Sequence, residues 1–539
     1  MRSSTRVLAA ALGIECVRTF VSALDVTVPF FAPYNSNLLS PTLLSFSIEQ
    51  DRWPDWAGVS ERNEFTYKAL QNYQALTGQP PNIRVGADSA DHTIWSPDVS
   101  IVADEVFPTP DALTPYPEAS TLTVGNDYYM LSQFLPSGTR MIWGVNLGLD
   151  NATNAVNMAK AIVDAFGTQE VQNSGVSLLR IEVGNEPDLY RNPTHGLRPK
   201  GWTVQEYVSD WESIADPVVE AIGISSNSGP VTLQGAAFSG QGYTPREIFA
   251  LGILGSEAGA TISTISQHRY SANFCNGGDL GLISFMNKAA VRGNLSIFDA
   301  DIAATHEQGL VYILGETNSV ACHGAPGISN TAAMALWVID YTLQAATRGI
   351  SEAYFHQGIG YKYNFIQPVT LNFSTIDNSP LDPPEPPHIQ PAYYGGLVVD
   401  TFIGDTGSAA IIELSVDDDD VSGYAAFENG LFVRAVFVNM HPWLASDSGT
   451  RPSVHIDLDV MLGFGEDGSP LLDVDLFMGQ TATARRLVIQ HADDVSNLTW
   501  AGQSWENSDI SPTGGLDLEM VDFSAGLDIR ATEAVLVTF

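Results

Sequence analysis

The chain has 539 residues, 44% of them hydrophobic, and a mean hydropathy of +0.02. That leaves room for a large core and two or more domains, and it excludes a disordered chain. With 24 Lys and Arg against 62 Asp and Glu, the formal net charge is −38, which argues against nucleic acid and against a long sulfated polyanion as partners.

The first residues read as a secretory signal over 1–23: Arg2 and Arg6, an apolar stretch at 7–14, then the small-residue site Val21-Ser22-Ala23. Glu15 and Arg18 interrupt the apolar run. A secreted chain is expected, with glycosylation candidates at the sequons of Asn151, Asn294, Asn372 and Asn497. No later run is long and apolar enough to predict a membrane span. An early strand at 25–30 lies too far upstream to start the next domain, and the segment 24–39 is expected to join the last one.

Eight apolar runs follow, at 43–48, 82–86, 141–148, 177–184, 231–238, 261–270, 310–315 and 351–357. Most lack strict alternation, which is the pattern of strands buried on both faces. Helix-like segments separate them; the clearest spans 331–348, with Ser329 or Asn330 as cap and Gly349 as stop. Eight such units predict an α/β fold, a (β/α)8 TIM barrel over 40–404. The Pro-rich stretch 379–391 reads as a loop, and a last helix is expected at 392–402.

Beyond that the pattern changes to short strands between Gly, Asp, Ser and Pro turns: 409–416, 423–427, 431–440, 454–460, 472–478, 486–491, 516–523 and 531–539. They predict a C-terminal β-sandwich over 405–539. The acidic turn 417–420 reads as a solvated loop.

Of three cysteines, cleavage after Ala23 would leave Cys275 and Cys322, each a few residues past a strand end. They form either a disulfide or two unpaired buried thiols. No metal-ligand spacing and no Gly-rich phosphate loop occurs, so no metal and no cofactor is expected.

Two glutamates carry the chemistry. Glu186 lies in IEVGNEPD (181–188) and Glu316 in VYILGETNS (311–319). Each follows an apolar run and then a Gly, so each projects where a strand leaves its sheet. In a barrel of parallel strands that end carries the active site. Two carboxylates converging there are the equipment of a glycosidase. Glu49 after the first run is a candidate for sugar hydroxyls, as are, more weakly, Asp88, His92 and Asn146.

Asn185-Glu186-Pro187 after a fourth strand, with Glu316 after a seventh, resembles retaining glycosidases of the barrel clan. The segments SFSIEQDRW (45–53), VGNEPD (183–188), SQHRY (266–270), GETNS (315–319), ALWVIDY (335–341) and FHQG (355–358) resemble glycoside hydrolase family 79, which includes microbial and fungal β-glucuronidases and heparanase. The resemblance covers the barrel and extends into the sandwich. It implies Glu186 as acid/base, Glu316 as nucleophile, Asn185 on the sugar 2-hydroxyl and Tyr270 beside the nucleophile. It implies His356 just after the eighth strand. It also implies a reader of the C6 carboxylate made of Tyr363, Tyr361 or Lys362 and amides near Gly324. The loop 320–324 lacks a Tyr that some bacterial members use for that carboxylate. The implied activity is a secreted retaining exo-β-glucuronidase. Its partner would be an oligosaccharide or polysaccharide bearing terminal glucuronic acid or its 4-O-methyl ether, such as arabinogalactan side chains. The rivals are a heparanase-like endo-hydrolase, a neutral-sugar glycosidase of the same clan, and a non-catalytic carbohydrate-binding protein.

Overall fold

The computed structural model describes residues 22–193, 195–225, 229, 231–240, 242–461, 482–522 and 525–539. Eight parallel strands close into a barrel: Leu44–Glu49, Ile83–Gly86, Arg140–Val145, Ser177–Val183, Thr232–Phe238, Ile262–Asn273, Val311–Ala321 and Ala353–Gln357. The eighth pairs with the first, Phe355 opposite Phe46. The expected barrel is borne out, because runs apolar on both faces are stable only between a helix layer and a filled interior. That interior is polar in places. At its base Glu352 accepts from Thr42 at 2.9 Å, Asn82 at 2.8 Å and Tyr354 at 2.7 Å.

The β domain is built from two sheets. One holds Asn37–Leu38, Ala410–Glu413, Val421–Glu428, Leu431–Asn439, Glu533–Thr538, Ala482–Val488, Thr499–Trp500 and Glu519–Val521. The other pairs the N-terminal strand Ser22–Pro29 parallel to Ser453–Met461, which in turn pairs with Leu527–Arg530. A separate apolar cluster lies between them, with Val26, Val28, Phe437, Ile456 and Val535 at its centre. Ser22 and Ala23 stand opposite Val454 and His455 in that sheet, so a cut after Ala23 would take the first rungs of the strand. The rest of the expected signal, and the strand expected at 472–478, lie outside the described residues.

Three differences from the sequence reading have physical causes. The stretch 379–391 is not a plain loop. Pro380–Glu385 pairs with Leu371–Phe373, and His388–Ile389 with Ile366–Gln367, in two-stranded ribbons whose free edges tolerate proline. The helix Ala332–Thr347 is capped by neither Ser329 nor Asn330. The amides of Ala332 and Ala333 donate to the carbonyls of Asp494 and Ala492, so the β domain caps a barrel helix. Within the acidic turn, Asp418 and Asp420 grip His441 at 3.0 and 3.4 Å while Lys288 donates to the Asp418 carbonyl, so the turn is a latch between domains.

A small sheet of Thr93–Trp95, Thr121–Val124 and Val102–Val106 is inserted after the second barrel strand. Its residues are half-buried or exposed for the most part, too weak an apolar pattern to read from sequence.

Cys275 and Cys322 are joined in a disulfide with Cα atoms 5.1 Å apart, tying the segments after the sixth and seventh barrel strands. Cys322→Ser is expected to cost about 2–4 kcal/mol in denaturant unfolding. A non-reducing peptide map should give one linked peptide; two alkylatable thiols in native protein would refute the bridge.

Candidate active site

The fourth barrel strand ends at Val183, and Gly184 follows with φ +85°. A Cβ there would stand 2.7 Å from Leu147 Cδ2, so the turn demands glycine. Glu186 itself has φ 45°, ψ 49°, a left-handed conformation uncommon outside glycine. Its amide donates to the Ala237 carbonyl, which holds this strained residue in place. Asp91 secures the same turn by accepting from the amides of Leu147, Gly148 and Asn185 and from the Tyr190 hydroxyl. In the seventh strand Gly315 lies against Ser266, where a Cβ would come within 2.0 Å of Oγ, and Glu316 follows.

The two glutamates converge. An oxygen of Glu186, one of Glu316 and a ring nitrogen of His268 lie within 4.8 Å of one another. Glu186 is the more open, with its side chain 21% exposed against 9% for Glu316. Around Glu316, Tyr270 donates to Oε1 at 2.8 Å and Arg84 Nη1 to Oε2 at 3.0 Å, while His356 Nδ1 lies 3.8 Å away. Around Glu186, His268 Nδ1 is 3.0 Å from Oε1.

These surroundings push the two carboxyls apart. Burial raises Glu186 well above the usual carboxylate range, and the nearby charges of Glu316, Asp188 and Asp88 add to it. Burial also opposes ionisation of Glu316, but His356, His268, Arg84 and the Tyr270 hydroxyl outweigh it and lower Glu316 to about 2. Burial lowers His268 to about 4, so its imidazole is neutral near neutral pH and does not compete for the proton. One protonated and one ionised carboxyl side by side is the state a retaining glycosidase needs at rest. The same three residues have the spacing of a metal site, but the Arg84 guanidinium already neutralises Glu316 and would repel a dication.

Arg84 comes from the second barrel strand and was not singled out from sequence. It is fully buried and donates to Glu182 at 2.6 and 2.9 Å, Ser47 at 2.8 Å, Asn185 Oδ1 at 2.8 Å and Glu316 at 3.0 Å. The available signal was a charged residue in the middle of an apolar strand, in Arg84 and again in Glu182.

The inserted segment forms a strap over loops at the carboxyl end of the barrel. The Ala119 amide donates to Asp51 at 2.7 Å, and Glu118 Oε1 lies 2.5 Å from His323 Nε2. The Tyr116 hydroxyl bonds the backbone of Phe373, and Lys362 Nζ donates to the Leu113 carbonyl at 3.3 Å. The strap is thereby tied to the loops after the first, seventh and eighth barrel strands.

Residues 423–536 match the glycosyl hydrolase family 79 C-terminal beta domain. The carboxy-terminal domain is that of glycosyl hydrolase family 79. With the barrel motifs, this bears out the resemblance read from sequence, and the chain is a glycoside hydrolase. A β-glucuronidase of Aspergillus niger is 29% identical over 495 residues, covering 89% of this chain and 84% of that protein. A β-glucuronidase of Neurospora crassa is 26% identical over 525 residues, covering 91% and 89%. The solved structure of a 4-O-α-L-rhamnosyl-β-D-glucuronidase from Fusarium oxysporum 12S, in a Rha-GlcA complex, superposes with TM-score 0.76 at 24% identity. It covers 96% of this chain and 100% of that one, and shows the shared fold.

In this hydrolase the remaining site residues fall into three groups. Asn185, Tyr270, His356 and Tyr363 stand with the glutamates; Tyr363 packs 6.1 Å from Tyr270 and 6.2 Å from His356 between ring centroids. Tyr361 is stacked on the His323 ring at 4.0 Å, near the strap.

Others need correction. Glu49 does not present a free carboxylate to a sugar: its Oε1 accepts from the amide and hydroxyl of Ser89, and its Oε2 lies 3.2 Å from His356 Nε2. It orients His356. The Gly324 amide donates to the Val320 carbonyl at 3.1 Å, so it is unavailable to a substrate carboxylate. Lys362 turns away to Leu113, and burial lowers its ammonium to about 8. Asn146 bridges the carbonyls of Asp91 and Thr93 and is structural. Asn294 is largely buried, and its Oδ1 accepts from Arg269 at 2.7 Å. Asn151, Asn372 and Asn497 are exposed.

The split of the two carboxyls predicts a pH profile. The alkaline limb of kcat/KM should follow loss of the Glu186 proton, above the ordinary carboxylate range, and the acid limb should track Glu316 near 2. Because Glu316 is one of the charges that raise Glu186, Glu316→Gln should lower the Glu186 titration, read by isotope-edited infrared spectroscopy. An unchanged Glu186 titration would show that burial alone sets it.

Proposed function

We propose that this protein is a secreted retaining exo-β-glucuronidase. The observation that carries the reading is the close pair Glu186 and Glu316, one held protonated and the other ionised. Oxygens within 4.8 Å suit the roughly 5–5.5 Å separation of retaining enzymes and not the roughly 6.5–9.5 Å of inverting ones. The substrate class is supported by the names of the two curated relatives.

In the first step Glu186 gives its proton to the glycosidic oxygen as the Glu316 carboxylate attacks the anomeric carbon. The C–O bond to the leaving group breaks and a glycosyl ester forms on Glu316. Esterification removes the Glu316 charge, one of the causes that raise Glu186, so the proton affinity of Glu186 falls. Glu186 is then a carboxylate suited to take a proton from water. Water attacks the anomeric carbon, the ester bond breaks and Glu316 is regenerated. Asn185 is the proposed partner of the sugar 2-hydroxyl, a role supported by the Arg84 bond to its Oδ1, which leaves its amide N–H groups to donate.

Support for exo action comes from the strap, whose ties to three loops at the carboxyl end of the barrel would narrow the cleft on that side. The hydroxyls of Tyr363 and Tyr361 are the proposed donors to the C6 carboxylate, without Gly324 or Lys362 for the reason of geometry given above. That smaller donor set is the one feature favouring a neutral-sugar reading. Secretion is supported by the disulfide, which persists in oxidising compartments. Terminal glucuronic acid or its 4-O-methyl ether on plant glycans is the proposed substrate.

Hydrolysis of an aryl β-glucuronide against the matching glucoside tests the substrate class; preference for the glucoside would overturn it. A fluorinated glucuronide should label Glu316 and the product should keep the β configuration. Glu186→Ala should lose most activity on poor leaving groups and far less on activated aryl ones, with azide restoring part of it. Tyr363→Phe should cost about 1.5–3 kcal/mol in glucuronide kcat/KM, roughly tenfold to over a hundredfold. An equal fall on residual glucoside hydrolysis would make Tyr363 structural.

A further inference from the structure

Three residues on the loops beside Glu186 are left over by the chemistry above. Asp88 and His92 lie on the short turn Asp88–His92 directly after the second barrel strand, and His195 on the loop that follows Glu186. The turn is entered through Ala87 at φ 65°, ψ −157°, a conformation costly for a residue with a Cβ. Asp88 is the first residue of that turn. Its two carboxylate oxygens face one imidazole each: His92 Nε2 at 3.6 Å from Oδ2 and His195 Nδ1 at 3.7 Å from Oδ1. Asp88, His195 and His92 side chains are 45%, 31% and 25% exposed.

Both contacts are longer than a hydrogen bond, so each oxygen keeps lone pairs, and each ring N–H a direction, for a third oxygen. The cluster acts on the reacting end of the cleft. Asp88 and His195 are among the charges that shift Glu186, and Asp88 also acts on Glu118 of the strap. Asp91 of the same turn accepts from the Asn185 amide, so the three side chains lie beside the acid, near the bond that is cleaved.

We propose that Asp88, His92 and His195 form a sugar subsite beside Glu186 that holds hydroxyls of the residue joined to the cleaved glucuronic acid, a proposal that rests on the glucuronidase reading. The donor–acceptor–donor order selects the chemistry. Neighbouring sugar hydroxyls both give and accept, and so match two imidazoles around one carboxylate. An anionic group would meet the Asp88 charge at the centre of the array. Asp88 remains ionised for this role: burial opposes its charge, but His195 and His92 hold its titration below the usual carboxylate range. The joined sugar is either a substituent on the glucuronic acid 4-oxygen or the leaving group, and the chemistry is the same for both.

The test compares kcat/KM of the full chain and of His92→Ala and His195→Ala on three probes: a plain aryl β-glucuronide, the same glucuronide carrying a sugar on O4, and a glucuronosyl disaccharide whose leaving group is a sugar. Each variant should lose about tenfold more on one of the two sugar-extended probes than on the plain one. The probe that suffers identifies the side on which the joined sugar lies. A misfolded fraction lowers all three rates equally, so the ratio stands even for a poorly folding variant. Equal losses on all three probes, or no loss on either extended probe, would overturn the subsite. If the wild type cleaves none of the probes, the glucuronidase reading fails by itself. Calorimetric titration of the two extended probes then reads the subsite directly: weaker binding in the variants supports it, and unchanged binding overturns it.

Discussion

A single guanidinium organises the reaction centre. Arg84 enters the barrel from the second strand with no exposure to solvent, and it binds Glu182, Asn185, Ser47 and Glu316 at once. An unpaired buried charge of either sign costs several kcal/mol, so Arg84, Glu182 and Glu316 are stable only together. The arrangement fixes Glu316 in position and keeps it ionised. Through Asn185 it also ties the fourth-strand turn to Glu316 on the seventh strand, although 130 residues separate Glu186 from Glu316 in the chain.

The two glutamates then differ by neighbours alone. Both are carboxyls at the ends of parallel strands, and burial opposes the charge of each. Glu316 has Arg84, His356 and a tyrosine hydroxyl beside it, whereas Glu186 faces further carboxylates and a neutral imidazole. Each support has its own support: Glu49 holds His356, and Ser89 holds Glu49. The left-handed backbone at Glu186 belongs to the same economy of position, since strained conformations persist where the surroundings over-determine them.

The β domain is part of the barrel's own construction. It caps the helix Ala332–Thr347 through two carbonyls, and inside that helix Asp340 meets Arg292 and the Tyr424 hydroxyl. The N-terminal strand Ser22–Pro29 is inserted beside a strand more than 400 residues later. The barrel therefore shares its helix layer with a sandwich that does not fold from one continuous segment.

The sequence by itself determined the elements whose cause is local. Runs apolar on both faces specified the starts of the eight barrel strands to within two residues, and Gly184 and Gly315 marked the positions that precede Glu186 and Glu316. Short strands between turn residues specified the β domain. The tertiary structure decided everything that depends on pairing across the barrel. It alone brought Arg84 to Glu316, committed Glu49 to His356, turned Lys362 toward Leu113 and used the Gly324 amide inside its own turn. It also made strands of a proline-rich stretch and a strap of the segment after the second barrel strand. The reason is physical: a residue type states what a side chain can donate, accept or bury, while the partner that uses it comes from a distant part of the chain and exists only after the barrel has closed.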